Sequence, residues 1–479
     1  MSEYIMTVGL EVHVELKTKT KIFCSCPNKF GEKANTNICP VCMGLPGALP
    51  KLNRKAVEYA IKAGLVTNCE ISKLSGMDRK NYFYPDLPKA FQISQNDVPL
   101  CRNGYINVDT EGDTRRIGIT RIHIEEDAGK LIHDQSGKTF IDYNRCGTPL
   151  IEIVSAPDIR SSSEAKSYLK KLRSLLMYAD VSDCRMNEGS MRCDVNISVR
   201  KKGSAELGTR TEIKNINSFN FVAKAIDAEF ERQTEILKNG GTIICETRRF
   251  NASSSKTERM RVKENTDDYR YFPEPDLTVI EITQKDIDRI AQELPVLPDI
   301  RKAEYAEKLG LSQYDSDLIA SDMAMSDFFD SAQKHTKHKK ILANILLGEI
   351  LRLCSSEDFF CPIDPQALAE LTVLIGDEKI NSSTGKKLVT RLWQNAENGV
   401  FDSPAEIVEK ETLWQINSEE QLLPLIKSAI ENDPRSVAAY KSGKTNALRA
   451  LTGKIMAQTA GLANPIITER LLLEQIKDE

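Results

Sequence analysis

The chain has 479 residues, a length that predicts more than one domain. Hydrophobic residues make up 41% and charged residues 28% of the sequence, as is typical of a globular protein, and no apolar run is long enough to predict a membrane span. The net charge of −4 excludes a protein that is basic throughout, so any nucleic-acid-binding surface must be local.

The N-terminal sequence and the cysteines predict a cytoplasmic protein. MSEYIMTVGLEVHVEL has neither the basic start and apolar stretch of a secretory signal nor the arginine-rich pattern of a transit peptide. Eight of the twelve cysteines are scattered and four cluster, which is typical of free thiols in a reducing compartment together with one metal site.

Residues 1–295 mix strand and helix patterns. The segment TVGLEVHVEL alternates, and its apolar side chains, Val8 to Leu16 in steps of two, fall on one face of a strand. Helical patterns follow at 51–64, ending at Gly64, at 162–179, and at 222–241, ending at Gly240 and Gly241. Strand patterns lie between them without strict alternation, so we expect an α+β fold with an antiparallel or mixed sheet.

The character of the sequence changes near Pro298, after which almost only helical patterns occur. A second break stands at Ser403 and Pro404. We therefore predict three domains: a catalytic domain over 1–295, a helical domain over 296–404 and a small helical tail domain over 405–479.

A tight group of four cysteines is the sharpest local motif. In FCSCPNKFGEKANTNICPVC, two close pairs, Cys24 with Cys26 and Cys39 with Cys42, flank a loop-forming spacer. Four thiolates can meet tetrahedrally around one zinc ion, and a fully occupied ligand set predicts a structural site. The alternative is four unrelated buried thiols.

Acidic residues on strand patterns predict a magnesium site. Glu11 and His13 share the polar face of the first strand, Glu125 and Glu126 end the segment RIHIEE, and Glu152 stands alone inside an apolar strand. A buried carboxylate is costly unless a cation meets it, and Mg²⁺ takes a few protein oxygens and completes its shell with phosphates or water.

Simpler interpretations remain open for several of these residues. Glu11 could line a solvated strand face, and for Glu15 that interpretation is favoured. His13 could be a hydrogen-bonded core residue, and His123 is expected to serve in packing.

No standard phosphate-binding loop is present. The segment QSGKTF resembles a Walker motif, but Ile132 occupies the position of its first glycine. A bound nucleotide would therefore be held by metal and by cations such as Lys80 and Lys214, or by the basic stretch that runs from Arg248 to Lys263 and into Asp267 and Asp268.

The tail contains a basic region. Between Pro434 and Thr468 there is no acidic residue, which suggests contact with a phosphate backbone, although an exposed basic face without a partner is the alternative. The basic residues are Arg435, Lys441, Lys444, Arg449 and Lys454.

Taken together, these segments resemble the B subunits of the aspartyl/glutamyl-tRNA amidotransferases along the whole chain. The resemblance implies a glutamine synthetase-like antiparallel-sheet cradle, followed by helical and tail domains that bind tRNA. It also implies a heterotrimer with an amidase-type A subunit and a small C subunit. The strings that carry it include GLEVHVEL, CPVCMGLPGALP, DRKNYFYPDLPKAFQISQ, NRCGTPLIEIVS, EIKNINSFN and MRVKENTDDYRYFPEPDL.

In that family the B subunit uses ATP to phosphorylate the side-chain carboxylate of Glu-tRNA(Gln) or Asp-tRNA(Asn), and ammonia from the A subunit displaces the phosphate. The resemblance places Mg²⁺ on Glu11, His13, Glu125 or Glu126, and Glu152, and zinc on the four cysteines. The implied ATP contacts are Lys80, Arg192, Asp194, Glu212 and Lys214.

Three hypotheses follow. The main one is an ATP-dependent carbon–nitrogen ligase subunit that acts on aminoacylated tRNA. The second is a zinc-containing RNA-binding scaffold without activity, against which the isolated Glu152 argues. The third, a metallohydrolase that uses His13, is the weakest, because the five histidines form no two-histidine helical motif.

Overall fold

The computed structural model describes residues 3–110, 113–134, 136–262, 269–354 and 359–478. Lys263, Asp267 and Asp268, at the end of the basic stretch, lie outside the described residues. The chain forms two compact units, the first ending at Leu297 and the second beginning at Pro298. In the described part, no helix has the length and apolar character needed to cross a membrane.

The first unit contains all of the described strands. They are β1 (Tyr4–Glu15), β2 (Glu70–Ile71), β3 (Leu74–Ser75), β4 (Asp78–Asn81), β5 (Phe91–Ser94), β6 (Cys101–Thr110), β7 (Asp113–Glu126), β8 (Lys130–His133), β9 (Thr139–Asp142), β10 (Pro149–Ser155), β11 (Met191–Lys201), β12 (Thr211–Ile216), β13 (Glu246–Asn251), β14 (Lys256–Val262), β15 (Phe272–Pro273) and β16 (Ile280–Glu281). Its helices are α1 (Arg54–Val66), α2 (Ser162–Tyr178), α3 (Phe219–Lys238) and α4 (Gln284–Gln292).

A nine-stranded sheet organises this unit, in the order β14-β13-β12-β11-β1-β10-β7-β6-β2. Its neighbouring strands are antiparallel except β12 and β13, which are parallel. The long connection through α3 returns the chain to the same end of the sheet, which a parallel pair requires. The prediction of an α+β fold is confirmed, and the sheet is mixed rather than wholly antiparallel.

The two faces of the sheet differ in chemistry. In β1 and just beyond it, Val8, Leu10, Val12, Val14 and Leu16 are all at most 1% exposed, as their alternation predicts. They belong to a continuous apolar core with residues of α1, α2 and α3. The opposite face carries the charged side chains of the same strands.

The second unit is helical in its described part. Its helices are α5 (Pro298–Glu307), α6 (Gln313–Ala320), α7 (Met323–Ala332), α8 (Lys339–Ile345), α9 (Leu351–Leu353), α10 (Pro365–Gly376), α11 (Ser382–Glu397), α12 (Pro404–Lys410), α13 (Glu419–Glu431), α14 (Pro434–Lys441), α15 (Asn446–Gln458) and α16 (Pro465–Asp478). A π-helical turn, Leu346–Ile350, joins α8 to α9.

Two separate apolar clusters stabilise the second unit. One gathers side chains between Tyr305 and Val408, and the other gathers side chains between Leu422 and Ile476. The helix α12 begins at Pro404, with Ser403 as its N-terminal flanking residue.

Candidate active site

Four central strands of the sheet bring charged residues into one row. On β1, His13 lies opposite Glu152 of β10 on one side and Arg192 of β11 on the other. Glu152 in turn lies opposite His123 of β7. Because directly opposite residues of antiparallel strands share a face, these side chains converge although they are distant in sequence.

His13, Glu125 and Glu152 form the first candidate cation site. The Nε2 atom of His13 lies 3.5 Å from a carboxylate oxygen of Glu125 and 3.5 Å from one of Glu152. Each of the three residues offers a ligand atom within 4.8 Å of the others. His123, which was expected only to pack, is buried with its Nε2 atom 3.4 Å from Glu152, so it borders this site.

Glu11, Asp194 and Glu212 form a second group, and their ligand atoms also lie within 4.8 Å of one another. The Asn196 amide donates to Glu11 over 2.9 Å. The Lys214 ammonium pairs with Asp194 and lies 3.3 Å from Glu212. The sequence grouped Glu11 with His13, whereas the structure groups Glu11 with two residues that were expected to contact ATP.

The electrostatics of the two groups differ. Burial first, and then the charges of Glu152, Glu212 and Asp194, raise the pKa of Glu11 above its ordinary value. Such mutual repulsion between carboxylates is relieved by a divalent cation, so this donor set fits Mg²⁺.

In the first group the histidines act on the carboxylates. Burial would raise the pKa of Glu152, but His123 and His13 hold it well below its usual range. Burial would lower the pKa of His13, but its hydrogen bond with Glu152 and the charge of Glu125 raise it to about 9. A proton on His13 therefore partly neutralises the same carboxylates that could hold a cation.

Lys80, on β4, faces this site. Burial would lower the pKa of its ammonium, but Glu125, Tyr271 and Glu152 raise it. Its Nζ atom lies 5.0 Å from the ring centre of Tyr269 and 5.6 Å from that of Tyr82, within the range of cation–π attraction.

Arg192 is held in place by a carboxylate that sequence reasoning missed. An Nη atom of Arg192 donates to Asp127 over 2.7 Å, and Asp127 also lies 3.1 Å from the Nε atom of Arg145. Asp127 is only 6% exposed. Its position two residues after Glu125, on the same side of the chain, is the signal that could have identified it.

Glu15 is not on a solvated face, contrary to the favoured interpretation. It is half-buried, and burial together with the charge of Asp127 raises its pKa to about 7, while Arg192 and Arg145 counteract that rise. The physical reason is that β1 ends at Glu15 among the charged groups of Asp127, Arg145 and Arg192, which partly cover the polar face of its last residue.

The structure does not bring Glu126 together with the other acidic residues. Consecutive residues of a strand face opposite sides, so Glu126 points away from Glu125. It pairs with the Lys89 ammonium and accepts a hydrogen bond from the Ile93 amide over 2.9 Å. Of the two candidates that the sequence left open, Glu125 is the one in the cation group.

An open cavity of about 550 Å³ lies over this charged face. It brings together most of the residues expected to bind metal or ATP. Those that line it are His13, Lys80, Glu125, Glu152, Arg192, Asp194 and Lys214, together with Asp127 and Tyr82.

The four predicted zinc ligands also converge, at a separate position in the loop between β1 and α1. The Sγ atoms of Cys24, Cys26, Cys39 and Cys42 all lie within 4.8 Å of one another. A hydrogen bond from Cys24, then the Cys39 amide and Lys21, lower the pKa of the Cys42 thiol to about 5. Four close thiols of which one is readily ionised fit a tetrahedral zinc site.

This loop is joined to the cavity by backbone hydrogen bonds. The amide of Ile22 donates to the carbonyl of Gly147 over 2.8 Å, and the amide of Gly147 donates to the carbonyl of Asp127 over 3.1 Å. The four-cysteine loop and the residue that holds Arg192 are thus two hydrogen bonds apart.

In the tail, the five basic residues are all exposed, on α14, on α15 and between them. Lys454 forms an ion pair of 2.7 Å with Asp433, which immediately precedes the acid-free range.

Comparison with known proteins identifies the family of the chain. Residues 6–288 match the model of the GatB/GatE catalytic domain, and residues 327–476 match that of the GatB domain. The chain is 50% identical over 477 residues to the B subunit of the aspartyl/glutamyl-tRNA(Asn/Gln) amidotransferase of Caldanaerobacter subterraneus subsp. tengcongensis, covering 99% of both chains. It is 48% identical to the proteins of the same name from Caldicellulosiruptor saccharolyticus, over 482 residues, and Clostridium novyi, over 477, again covering 99% of each chain. The chain therefore belongs to the family of aspartyl/glutamyl-tRNA(Asn/Gln) amidotransferase B subunits.

Proposed function

We propose that this chain uses ATP to activate the side-chain carboxylate of Glu-tRNA(Gln) or Asp-tRNA(Asn) and then converts it to the amide, giving Gln-tRNA(Gln) or Asn-tRNA(Asn). The observation that carries the proposal is the pair of acidic groups on one sheet face, bordered by Lys80, Arg192 and Lys214. A pure RNA-binding scaffold has no use for buried carboxylates that repel one another, so this alternative is the weaker one.

The chemistry needs positioning more than a protein nucleophile. A carboxylate is a poor electrophile, so one of its oxygens first takes the γ-phosphoryl group of ATP, and ADP leaves. Ammonia then attacks the carbonyl carbon, the bond from carbon to the phosphate oxygen breaks, and inorganic phosphate leaves, taking up the proton that the nitrogen loses as the amide forms. When bound, Mg²⁺ would neutralise charge on the phosphates and on the transferring group.

The residues of the chain have separate parts in this reaction. His13, Glu125 and Glu152 would hold one cation, and Glu11, Asp194 and Glu212 would hold a second. Lys80, Arg192 and Lys214 would then hold phosphate oxygens, with Asp127 fixing the direction of the Arg192 guanidinium.

We further propose the assembly and the supporting sites. Ammonia comes from glutamine in an amidase-type A subunit, and a small C subunit completes a heterotrimer. Zinc bound by the four-cysteine group stabilises the loop that contains it. The helical second unit binds tRNA, and the exposed basic residues of the tail domain are on its surface. The first unit has the glutamine synthetase-like cradle fold. None of the twelve cysteines forms a disulfide bond, which supports the proposal that the protein functions in the reducing cytoplasm.

The decisive test is whether ATP cleavage depends on the aminoacylated tRNA. The purified chain with its A and C partners is incubated with ATP, Mg²⁺ and glutamine, and phosphate release is measured with Glu-tRNA(Gln), Asp-tRNA(Asn) or uncharged tRNA. We expect release only with the aminoacylated forms and in a one-to-one ratio with the amidated product. ATP cleavage that is equally fast with uncharged tRNA, or amidation without ATP, would contradict the proposal. Binding of tRNA with neither ATP cleavage nor amidation would favour the non-catalytic scaffold.

A further inference from the structure

A lysine buried against the four-cysteine group has no part in the chemistry proposed above. Lys21 is 0% exposed, although lysine is a residue that proteins almost never bury completely without a partner of opposite charge. Removing an ammonium group from water costs several kcal/mol unless a nearby anion compensates for it.

The contacts of Lys21 identify the source of that compensation. Its Nζ atom donates to the carbonyl oxygen of Asn37 over 2.8 Å and to the Sγ atom of Cys42 over 3.8 Å. The carbonyl is neutral and cannot balance a full positive charge. Among the residues that the structure describes, no carboxylate forms an ion pair with Lys21.

The remaining candidate anions are the thiolates of the cysteine group. Four thiolates around one divalent cation have a net charge of −2, and that excess is costly where Cys42 is buried and the other three cysteines are half-buried. One adjacent ammonium reduces the net negative charge of this group from −2 to −1. The two unfavourable charges therefore compensate each other when metal is bound, whereas without metal at most the Cys42 thiolate faces Lys21, and a disulfide at Cys42 would leave it without a counter-ion.

We propose that Lys21 is the built-in counter-cation of a divalent metal–tetrathiolate centre at Cys24, Cys26, Cys39 and Cys42. Lys21 stabilises the metal-bound form of the loop by offsetting the excess negative charge, and its N–H···S contact orients the Cys42 sulfur. Groups just outside a metal's ligand shell often act in this way. The inference rests on the proposed zinc site and not on the proposed reaction.

The test compares three variants of the full-length chain, purified without oxygen. Lys21→Met removes the charge and keeps much of the length, Lys21→Arg keeps the charge, and Lys19→Met is the matched control, because Lys19 is exposed in the same loop. Zinc affinity is measured by competition with a chelator of known affinity. We expect Lys21→Met to bind zinc at least about tenfold more weakly, Lys21→Arg to lie within roughly threefold of the unmodified chain, and Lys19→Met to match it.

The cobalt(II) absorption spectrum separates the failure of this inference from the failure of the zinc site. An unmodified chain without the bands of a tetrathiolate cobalt centre would refute the site itself. A tetrathiolate spectrum together with an unchanged zinc affinity in Lys21→Met would refute the role of Lys21.

A labelling experiment on the unmodified chain covers the case in which Lys21→Met does not fold. Lysine acylation is followed by mass spectrometry before and after the metal is removed by chelation. We expect Lys21 to be protected with metal and to become reactive without it, while Lys19 reacts in both states. Equal protection of Lys21 in both states would show that the metal–thiolate charge is not what holds it, and would overturn the inference.

Discussion

The four-cysteine loop and the charged face of the sheet are both candidate cation sites, but they are built in different ways. The cysteine ligands come from one continuous segment, with Cys24 and Cys42 only eighteen positions apart. The acidic groups take one or two residues from each of several strands, and Glu11 and Glu212 are separated by most of the first unit. A local site can hold its own loop together, whereas a site spread over a sheet depends on the whole unit.

The difference extends to ligand chemistry. Thiolates that fill four positions leave no room for substrate, which is the property of a structural centre. Carboxylates and one histidine leave positions open for phosphate oxygens and water, which is the property of a reacting centre. We therefore expect damage to the sheet site to stop the reaction and damage to the loop to weaken it.

The largest expected effect is at the centre of the charged row. Glu152→Gln keeps the shape of the side chain and removes the charge that His13 and His123 surround, so we expect amidation to fall by roughly a thousandfold or more. Product formation is measured with Glu-tRNA(Gln), and glutaminase activity of the A subunit reports whether the complex still assembles. Glu231→Gln on the exposed side of α3 is the control. Retention of more than a tenth of the amidation activity would remove Glu152 from the proposed reaction.

A smaller effect is expected at Asp127, which touches Arg192 and not the acidic groups. Asp127→Asn weakens the hold on a guanidinium that lines the cavity, so we expect the KM for ATP to rise by about 10- to 100-fold and kcat to change less. Steady-state kinetics in ATP separates the two parameters. Asp180→Asn, which alters an exposed pair with Lys17, should leave both unchanged. A loss confined to kcat would instead place Asp127 in the chemical step.

The next largest effect is expected in the four-cysteine loop. Cys42→Ser is expected to lose bound metal and about tenfold in activity, because the loop then supports Gly147 and Asp127 less firmly. Metal content, activity and circular dichroism are measured together, with Cys245→Ser, outside the group, as the control. Full activity in a metal-free, folded variant would show that the loop and the charged face are independent.

The tail provides a reference region outside both sites. Lys444→Glu combined with Arg449→Glu reverses two exposed charges, so we expect tRNA affinity to fall by roughly fivefold at moderate salt, while zinc content and ATP binding stay constant. Binding is measured by filter retention over a range of salt concentrations, with Lys427→Glu on α13 as the control. An unchanged affinity and salt slope would mean that these residues form a solvated face without a partner.

Much of the fold was accessible from the sequence, because periodicity reports burial directly. The alternating apolar side chains of β1 are buried as predicted, and the helix expected at 162–179 forms as α2, in which Tyr168 and Leu172 are buried. The end of α1 was misplaced, since the helix continues past Gly64 to Val66. Gly64 serves close packing: a Cβ atom there would lie 2.6 Å from the Sγ atom of Cys101.

The two candidate cation sites show how far prediction from the sequence alone extends. Cysteine spacing by itself predicted a group whose members do meet, because a short loop restricts how far its ends can separate. The sequence also named Glu11, His13 and Glu152, because charges on strand patterns are conspicuous. Their functional roles stay predictions that the experiments above address.

Only the tertiary structure decided how these residues are grouped. Strand register places Glu152 between His13 and His123, assigns Glu11 to Asp194 and Glu212, and brings Glu125, rather than Glu126, to His13 and Glu152. It also brings Asp127 to Arg192 and buries Lys21 against Cys42. A sequence records which faces are apolar, but the pairing of strands far apart in the chain depends on how the whole core packs, and that pairing sets the distances on which charge and chemistry depend.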